Sequence, residues 1–223
     1  LGVEINVAEL PNVQRRIVQL CAEHGKRVIV ATHLLESMIE NPIPTRAEVT
    51  DVANAIYEEV DAVMLSGETT IGKYPIRCVE QLVEIAEATE SFKGLGFSKQ
   101  LRKTHDKHHL AETAVNPAES LGAEGIVVIT RRGYMADFVT NCHPREARIF
   151  AFTNDSQTRR RLTLNRNLSA FRTAFSTDPE KTLQIAFDVL KTRAGLNEGA
   201  KVVVISDILE GSGIDAIQIR TLT

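Results

Sequence analysis

Hydrophobic positions along the chain switch repeatedly between a helical period and short unbroken runs. From Leu10 to His24 they fall at Val13, Ile17, Val18 and Cys21, one face of a helix, with Pro11 in the first turn and Gly25 as the stop. Arg27 to Ala31 follows as a short β-branched run, the pattern of a parallel strand covered on both faces, and it ends at Thr32-His33. A short helix is predicted over Leu34 to Glu40, closed by Asn41-Pro42 and Pro44 because proline cannot continue it. Thr45-Arg46-Ala47-Glu48 has capping-box spacing and predicts a helix to about Tyr57. Asp61 to Leu65 reads as a second buried strand that ends in a loop, Ser66-Gly67-Glu68-Thr69. Pro75 then opens a long helix, apolar at Val79, Leu82, Val83, Ile85 and Ala86.

From Thr89 to about His108 the pattern dissolves into glycines and lysines, which predicts a boundary: residues 1–92 as one domain, 93–107 as a linker, 108–223 as a second domain. Alternation resumes with a helix from about His109 to Leu121, kinked or ended early by Pro117. Strand Gly125 to Thr130, helix Met135 to Cys142, strand Arg148 to Phe152 and helix Ser156 to Leu164 follow. The rest reads as a strand around Ala170 to Ala174, helix Pro179 to Ala194, and strands Lys201 to Ser206 and Ala216 to Leu222, with Gly211-Ser212-Gly213 as a tight turn. Strands alternating with helices imply an α/β protein with mostly parallel sheets.

Composition narrows the classes. With 43% hydrophobic and 25% charged residues the chain can build a sizeable core, and a net charge of -3 gives no basic footprint for nucleic acid. No apolar run approaches the roughly 20 residues of a membrane helix. Cys21, Cys78 and Cys142 are odd in number and widely spaced, which argues against a disulfide framework or a zinc site and for a reducing, cytoplasmic setting. Leu1-Gly2 carries no initiator Met and no signal-like segment, the expectation for a fragment or processed piece.

Two strand ends carry the densest chemistry. Thr32, His33 and Glu36 can serve as an acid/base or substrate group, or simply cap the next helix; Ser66 to Thr69 can cradle an anion, or simply turn the chain. In parallel α/β architectures ligands bind at this edge. Thr130-Arg131-Arg132-Gly133 lies between a strand and a helix, where amides and two guanidiniums can converge on a phosphate or form an ordinary turn. His105, His108 and His109 have near-helical spacing, but in a lysine-rich stretch without cysteine a solvated loop is the better reading than a metal site. Arg159-Arg160-Arg161 reads as a solvated face or a subunit contact.

Five blocks in order resemble the pyruvate kinase family: Val30-Ala31-Thr32, Leu35 to Ile39, Pro44 to Glu48, Asp51 to Ala55, and Met64-Leu65-Ser66-Gly67-Glu68-Thr69. Leu1 to Ile5 is similar to the family's sixth barrel strand and loop, and a looser likeness continues through Thr130 to Gly133 and Gly211 to Gly213. The resemblance implies the last two βα units of a (β/α)8 TIM barrel followed by a separate α/β regulatory domain with a mostly parallel sheet. It implies phosphoryl transfer from phosphoenolpyruvate to ADP, giving pyruvate and ATP, with Mg2+ or Mn2+ and K+, in a homotetramer. Thr32 would face the substrate's methylene and belong to the path that protonates the enolate, with Ser66 in the same mouth. The family's metal ligands and catalytic lysine would precede Leu1, so the fragment alone is expected to be inactive.

Departures from the family pattern also carry expectations. His33 stands where the family usually has glutamine, which changes the polarity beside Thr32. Tyr134 and Met135 replace hydroxyl residues, and Thr177 to Gly195 lacks the tryptophan and arginine that grip a second phosphate. A sugar bisphosphate effector is therefore not expected; a monophosphorylated effector on Thr130, Arg131, Arg132 and Gly133, or none, is. The alternatives are a catalytically degenerate relative, a phosphate-sensing module and an interaction protein without a catalytic role.

Overall fold

The computed structural model describes residues 5–206 and 216–223; Gly211 to Gly213 and the Ile208-Leu209-Glu210 segment lie outside them. The chain divides into two compact units, Leu1–Arg102 and Lys103–Thr223.

In the first unit the elements run α1 (Leu10–Glu23), β1 (Ile29–Ala31), a 3-10 turn (Glu36–Ile39), α2 (Arg46–Tyr57), β2 (Ala62–Met64), α3 (Gly67–Thr70) and α4 (Pro75–Glu90). β1 and β2 pair in parallel, Ile29 opposite Ala62 and Ala31 opposite Met64. At their N-terminal end Asp61 accepts the Val28 amide at 2.9 Å and pairs with Arg27 at 3.5 Å. The helices bury Leu35, Met38, Val52, Cys78 and Ile85 together. Coverage of the strands on both faces is not realised among the described residues: Ile29 and Met64 stand 48% and 47% exposed, since only two described strands form this sheet.

Two local expectations change here. Ser66 to Thr69 is not an open loop, because Gly67–Thr70 closes one helical turn, with the Thr70 amide donating to the Ser66 carbonyl at 3.2 Å. The stretch read as linker is partly folded onto this unit. Phe97 packs with Val18, Ala55 and Val60, Leu101 is buried, and the Arg102 amide donates to the Glu23 carbonyl at 2.8 Å. Two apolar residues four apart among glycines and lysines have no visible period, so the pattern hides their burial.

The second unit comprises α5 (Asp106–Ser120), β3 (Gly125–Ile129), α6 (Tyr134–Asn141), β4 (Arg148–Thr153), α7 (Ser156–Leu162), β5 (Leu168–Arg172), α8 (Pro179–Arg193), β6 (Lys201–Ser206) and β7 (Ala216–Thr221). The sheet order is β5-β4-β3-β6-β7, parallel except for antiparallel β7. Strand side chains alternate between faces. Ile126, Val128, Ile149 and Ala151 join Ala111, Ala114 and Val139 of α5 and α6 in one cluster. Val127, Ile129, Phe150 and Phe152 join Leu183, Ala186 and Leu190 of α8 in another.

Helix α5 begins three residues before the sequence suggests and runs past Pro117 to Ser120. The His105 ring caps it by accepting the Lys107 amide at 3.2 Å. His108, read as part of a solvated loop, is buried against Phe138 with ring centroids 4.3 Å apart. Phe138 on α6 takes it in.

Candidate functional site

Thr32 and Ser66 sit just past the C-terminal ends of two adjacent parallel strands, as the register Ala31 to Met64 requires. Thr32 is exposed and half-buried Ser66 continues into α3. The backbone after β1 is unusual: Thr32 and His33 both take left-handed φ, 72° and 55°. Two consecutive non-glycine residues there cost on the order of 1–2 kcal/mol each, strain that persists only when neighbours hold it. The Thr32 hydroxyl donates to the Ala31 carbonyl at 2.6 Å, and His33 Nδ1 meets Glu36 Oε2 at 2.5 Å.

Burial of Leu34, Leu35 and Met38 anchors this turn from below. Glu68 anchors it from the side. Its carboxylate, 2% exposed, accepts the Leu35 amide at 3.1 Å and the Ser66 amide at 2.7 Å. One carboxylate therefore ties together the loops that follow β1 and β2. Burial pushes the Glu68 carboxyl up, but amide donation from Glu68 itself, Ser66 and Leu35, with the field of His33, outweighs it and holds the group below the ordinary carboxylate range. Beneath it Cys78 is buried, and its thiol is pushed up by burial and by the charge of Glu68. A second carboxylate, Glu48, completes the predicted capping box with Thr45 and reaches the Ser37 amide and hydroxyl at 2.7 and 2.6 Å, tying the 3-10 turn to α2.

Thr130 to Gly133 forms a separate constellation on the second unit. Buried Thr130 accepts the Gly133 amide on its hydroxyl at 3.1 Å. Gly133 starts α6 at φ 81°, and an added Cβ would run into the Arg161 guanidinium. The loop's carbonyls turn to neighbours: Arg131 O accepts from the Thr153 hydroxyl at 3.1 Å and Arg132 O from Arg161 at 2.9 Å. Arg161 also pairs with Asp137 at 2.9 Å. The side chains of Arg131 and Arg132 remain exposed. Arg161 is thus a clamp on this loop while staying on the solvated face that its triple-arginine run suggests.

Sequence reasoning missed the roles of Glu68, Ser37 and Arg161. Glu68 had one local signal, a carboxylate in the turn just past a strand end; the other two depend on contacts between distant segments. Among the described residues no group of three or more His, Cys, Asp or Glu could hold a metal ion.

The family description "Pyruvate kinase, barrel domain" matches residues 1–79, and "Pyruvate kinase, alpha/beta domain" matches residues 108–219. The chain belongs to the pyruvate kinase family. Chloroplastic pyruvate kinase isozyme A of Ricinus communis is 36% identical over 94% of this chain and 37% of its own length. The pyruvate kinase of Thermotoga maritima is 41% identical over 75% of the chain and 36% of its own. In three dimensions the whole chain superposes on 45% of a pyruvate kinase from Cryptosporidium parvum, with a TM-score of 0.91 at 28% identity. The chain thus spans less than half the length of these relatives, which include chloroplastic and bacterial proteins and so name no compartment. Among the described residues no helix is long and apolar enough to cross a membrane. Thr32, Ser66 and Glu68 fall within the pyruvate kinase barrel match, and Thr130 to Gly133 within the α/β match.

Proposed function

We propose that this chain supplies two barrel strand ends and the α/β domain of a pyruvate kinase that moves the phosphoryl group of phosphoenolpyruvate to ADP. The observation that supports this most strongly is the placement of Thr32 and Ser66 at one edge of two paired parallel strands, inside the stretch matched to the family's barrel domain. In this reading Thr32 lies on the path that protonates the enolate left by phosphoryl departure, and Ser66 supports the same mouth. Mg2+ or Mn2+ and K+ would be held by residues outside this chain, and the working enzyme would be a homotetramer in the cytoplasm.

The full-length protein should convert phosphoenolpyruvate and ADP to pyruvate in a lactate dehydrogenase-coupled assay. Loss of a group in the proton path costs about 10²-fold or more, so Thr32→Ala should lower kcat by roughly that factor. A folded full-length protein that makes no pyruvate would instead be a degenerate relative.

A second reading rests on the clamped loop with two exposed guanidiniums. A monophosphorylated effector would bind at Thr130, Arg131, Arg132 and Gly133. Calorimetry with sugar monophosphates and AMP tests it: flat titrations, or binding unchanged in Arg131→Ala/Arg132→Ala, would sink it.

A further inference from the structure

We infer that Glu68 is a positioning residue for the proton-delivery step, acting chiefly through Thr32; this rests on the activity proposed above. β1 and β2 pair over only three residues each, too short a ladder to hold the chain beyond its ends. Past those ends the two loops are bridged by the Glu68 carboxylate, which accepts one amide from each, Leu35 and Ser66. The bridge is shielded, since Glu68 is 2% exposed and Leu34 and Leu35 are buried beside it.

The loop it holds on one side carries the two left-handed residues, Thr32 and His33. Without the Leu35 anchor that strained backbone can relax to negative φ, swinging the Thr32 hydroxyl away from the mouth. On the other side the Ser66 amide and the Ser66 carbonyl are both engaged, by Glu68 and by the α3 turn, so Ser66 moves with Glu68. Displacing a reacting group by about 1 Å costs roughly 10²-fold in rate. Substrate binding, which draws on many other groups, is far less affected.

The test uses the full-length protein. Glu68→Gln keeps the side-chain volume but cannot accept both amides without turning an NH2 toward one of them. It should lower kcat about 10- to 100-fold while changing the phosphoenolpyruvate KM by less than about 3-fold. Because Glu68 acts through Thr32, adding Glu68→Gln to Thr32→Ala should lower kcat by no more than about 2-fold further, a non-additivity that a general loss of stability does not produce. Exchange of the pyruvate methyl protons with deuterated water should fall in parallel with kcat. An active wild type whose Glu68→Gln variant keeps wild-type kcat, or whose two losses multiply, overturns this inference and leaves the proposed activity standing. A folded wild type that makes no pyruvate overturns both. Should Glu68→Gln fail to accumulate folded, Glu68→Asp, which keeps the charge but reaches one amide at most, decides by the same kcat and double-variant comparison.

Discussion

Removing the Glu48 carboxylate tests how the first unit holds its short elements together. Glu48 accepts four hydrogen bonds: the Ser37 amide at 2.7 Å, the Ser37 hydroxyl at 2.6 Å, the Thr45 amide at 2.7 Å and the Thr45 hydroxyl at 2.8 Å. A hydrogen bond to a charged group contributes about 1.5–3 kcal/mol when shielded, and solvent screening reduces that for partly exposed groups. Taking the two Ser37 bonds at about 1 kcal/mol each and the capping pair at about 1 kcal/mol together, Glu48→Ala should lower stability by about 3 kcal/mol and Glu48→Gln by about half of that. Burial pushes the carboxyl up, but the Ser37 and Thr45 donors outweigh it, so the folded value lies below the ordinary one. Such a group binds fewer protons folded than unfolded. Its contribution is complete above the unfolded value of about 4.3 and is lost as pH falls through the folded value. Hydrogen exchange of peptides covering residues 34–57, with urea unfolding followed by circular dichroism from about pH 7 down to pH 3, measures both effects. Equal opening free energies for wild type and Glu48→Gln at pH 7, or a difference that does not shrink in acid, would refute the reasoning.

Four further outcomes follow from the second unit. Glu119 accepts the amides of Arg145, Glu146 and Ala147, each at 3.1 Å, so Glu119→Ala should cost about 2–4 kcal/mol in urea unfolding, partly recovered by sulfate filling the vacated nest. Gly133→Ala, forced into positive φ against Arg161, should cost about 2 kcal/mol or more by thermal unfolding, and Arg161→Ala in the same chain should relieve part of it. Burial lowers the His108 value, with the His105 carbonyl opposing and the charges of His105, His109 and Lys103 adding to the shift. Its stability contribution is therefore complete above about pH 6.5 and lost as pH falls through the folded value; His108→Phe should flatten that part of a pH–stability curve. Burial pushes the Cys142 thiol up to about 12, so at pH 8 it should resist a thiol reagent that labels the urea-unfolded chain within minutes.

What could be read from the sequence was whatever is local. The capping box at Thr45 and Glu48 involves four consecutive residues, and it forms as spaced. The unbroken apolar runs at Gly125 to Ile129 and Val202 to Ile205 become inner strands because burial on both faces removes any need for alternation. Thr32 and Ser66 could be placed at strand ends for the same reason, since a strand's end is set by where its apolar run stops. Residues whose role is decided by a distant partner could not be read. Phe97 looks isolated until Val18 and Ala55 fold over it, His108 looks solvated until Phe138 covers it, and Arg161, exposed as its run suggests, shows its clamp only where the Arg132 carbonyl meets it.

Glu68 belongs to both groups, and that is why it matters most. Its bond to the Ser66 amide spans two residues and is a property of the turn itself, whereas its bond to the Leu35 amide spans 33 and exists only once β1 and β2 are paired. A glutamine could satisfy the local bond alone. Only an ionised, two-oxygen acceptor can satisfy both while buried, which explains a charged residue at 2% exposure in a turn otherwise built from hydroxyls and glycine. The strain at Thr32 and His33 is then held in place by a contact that needs β1 and β2 side by side, so the site geometry depends on that pairing and relaxes when the carboxylate is lost.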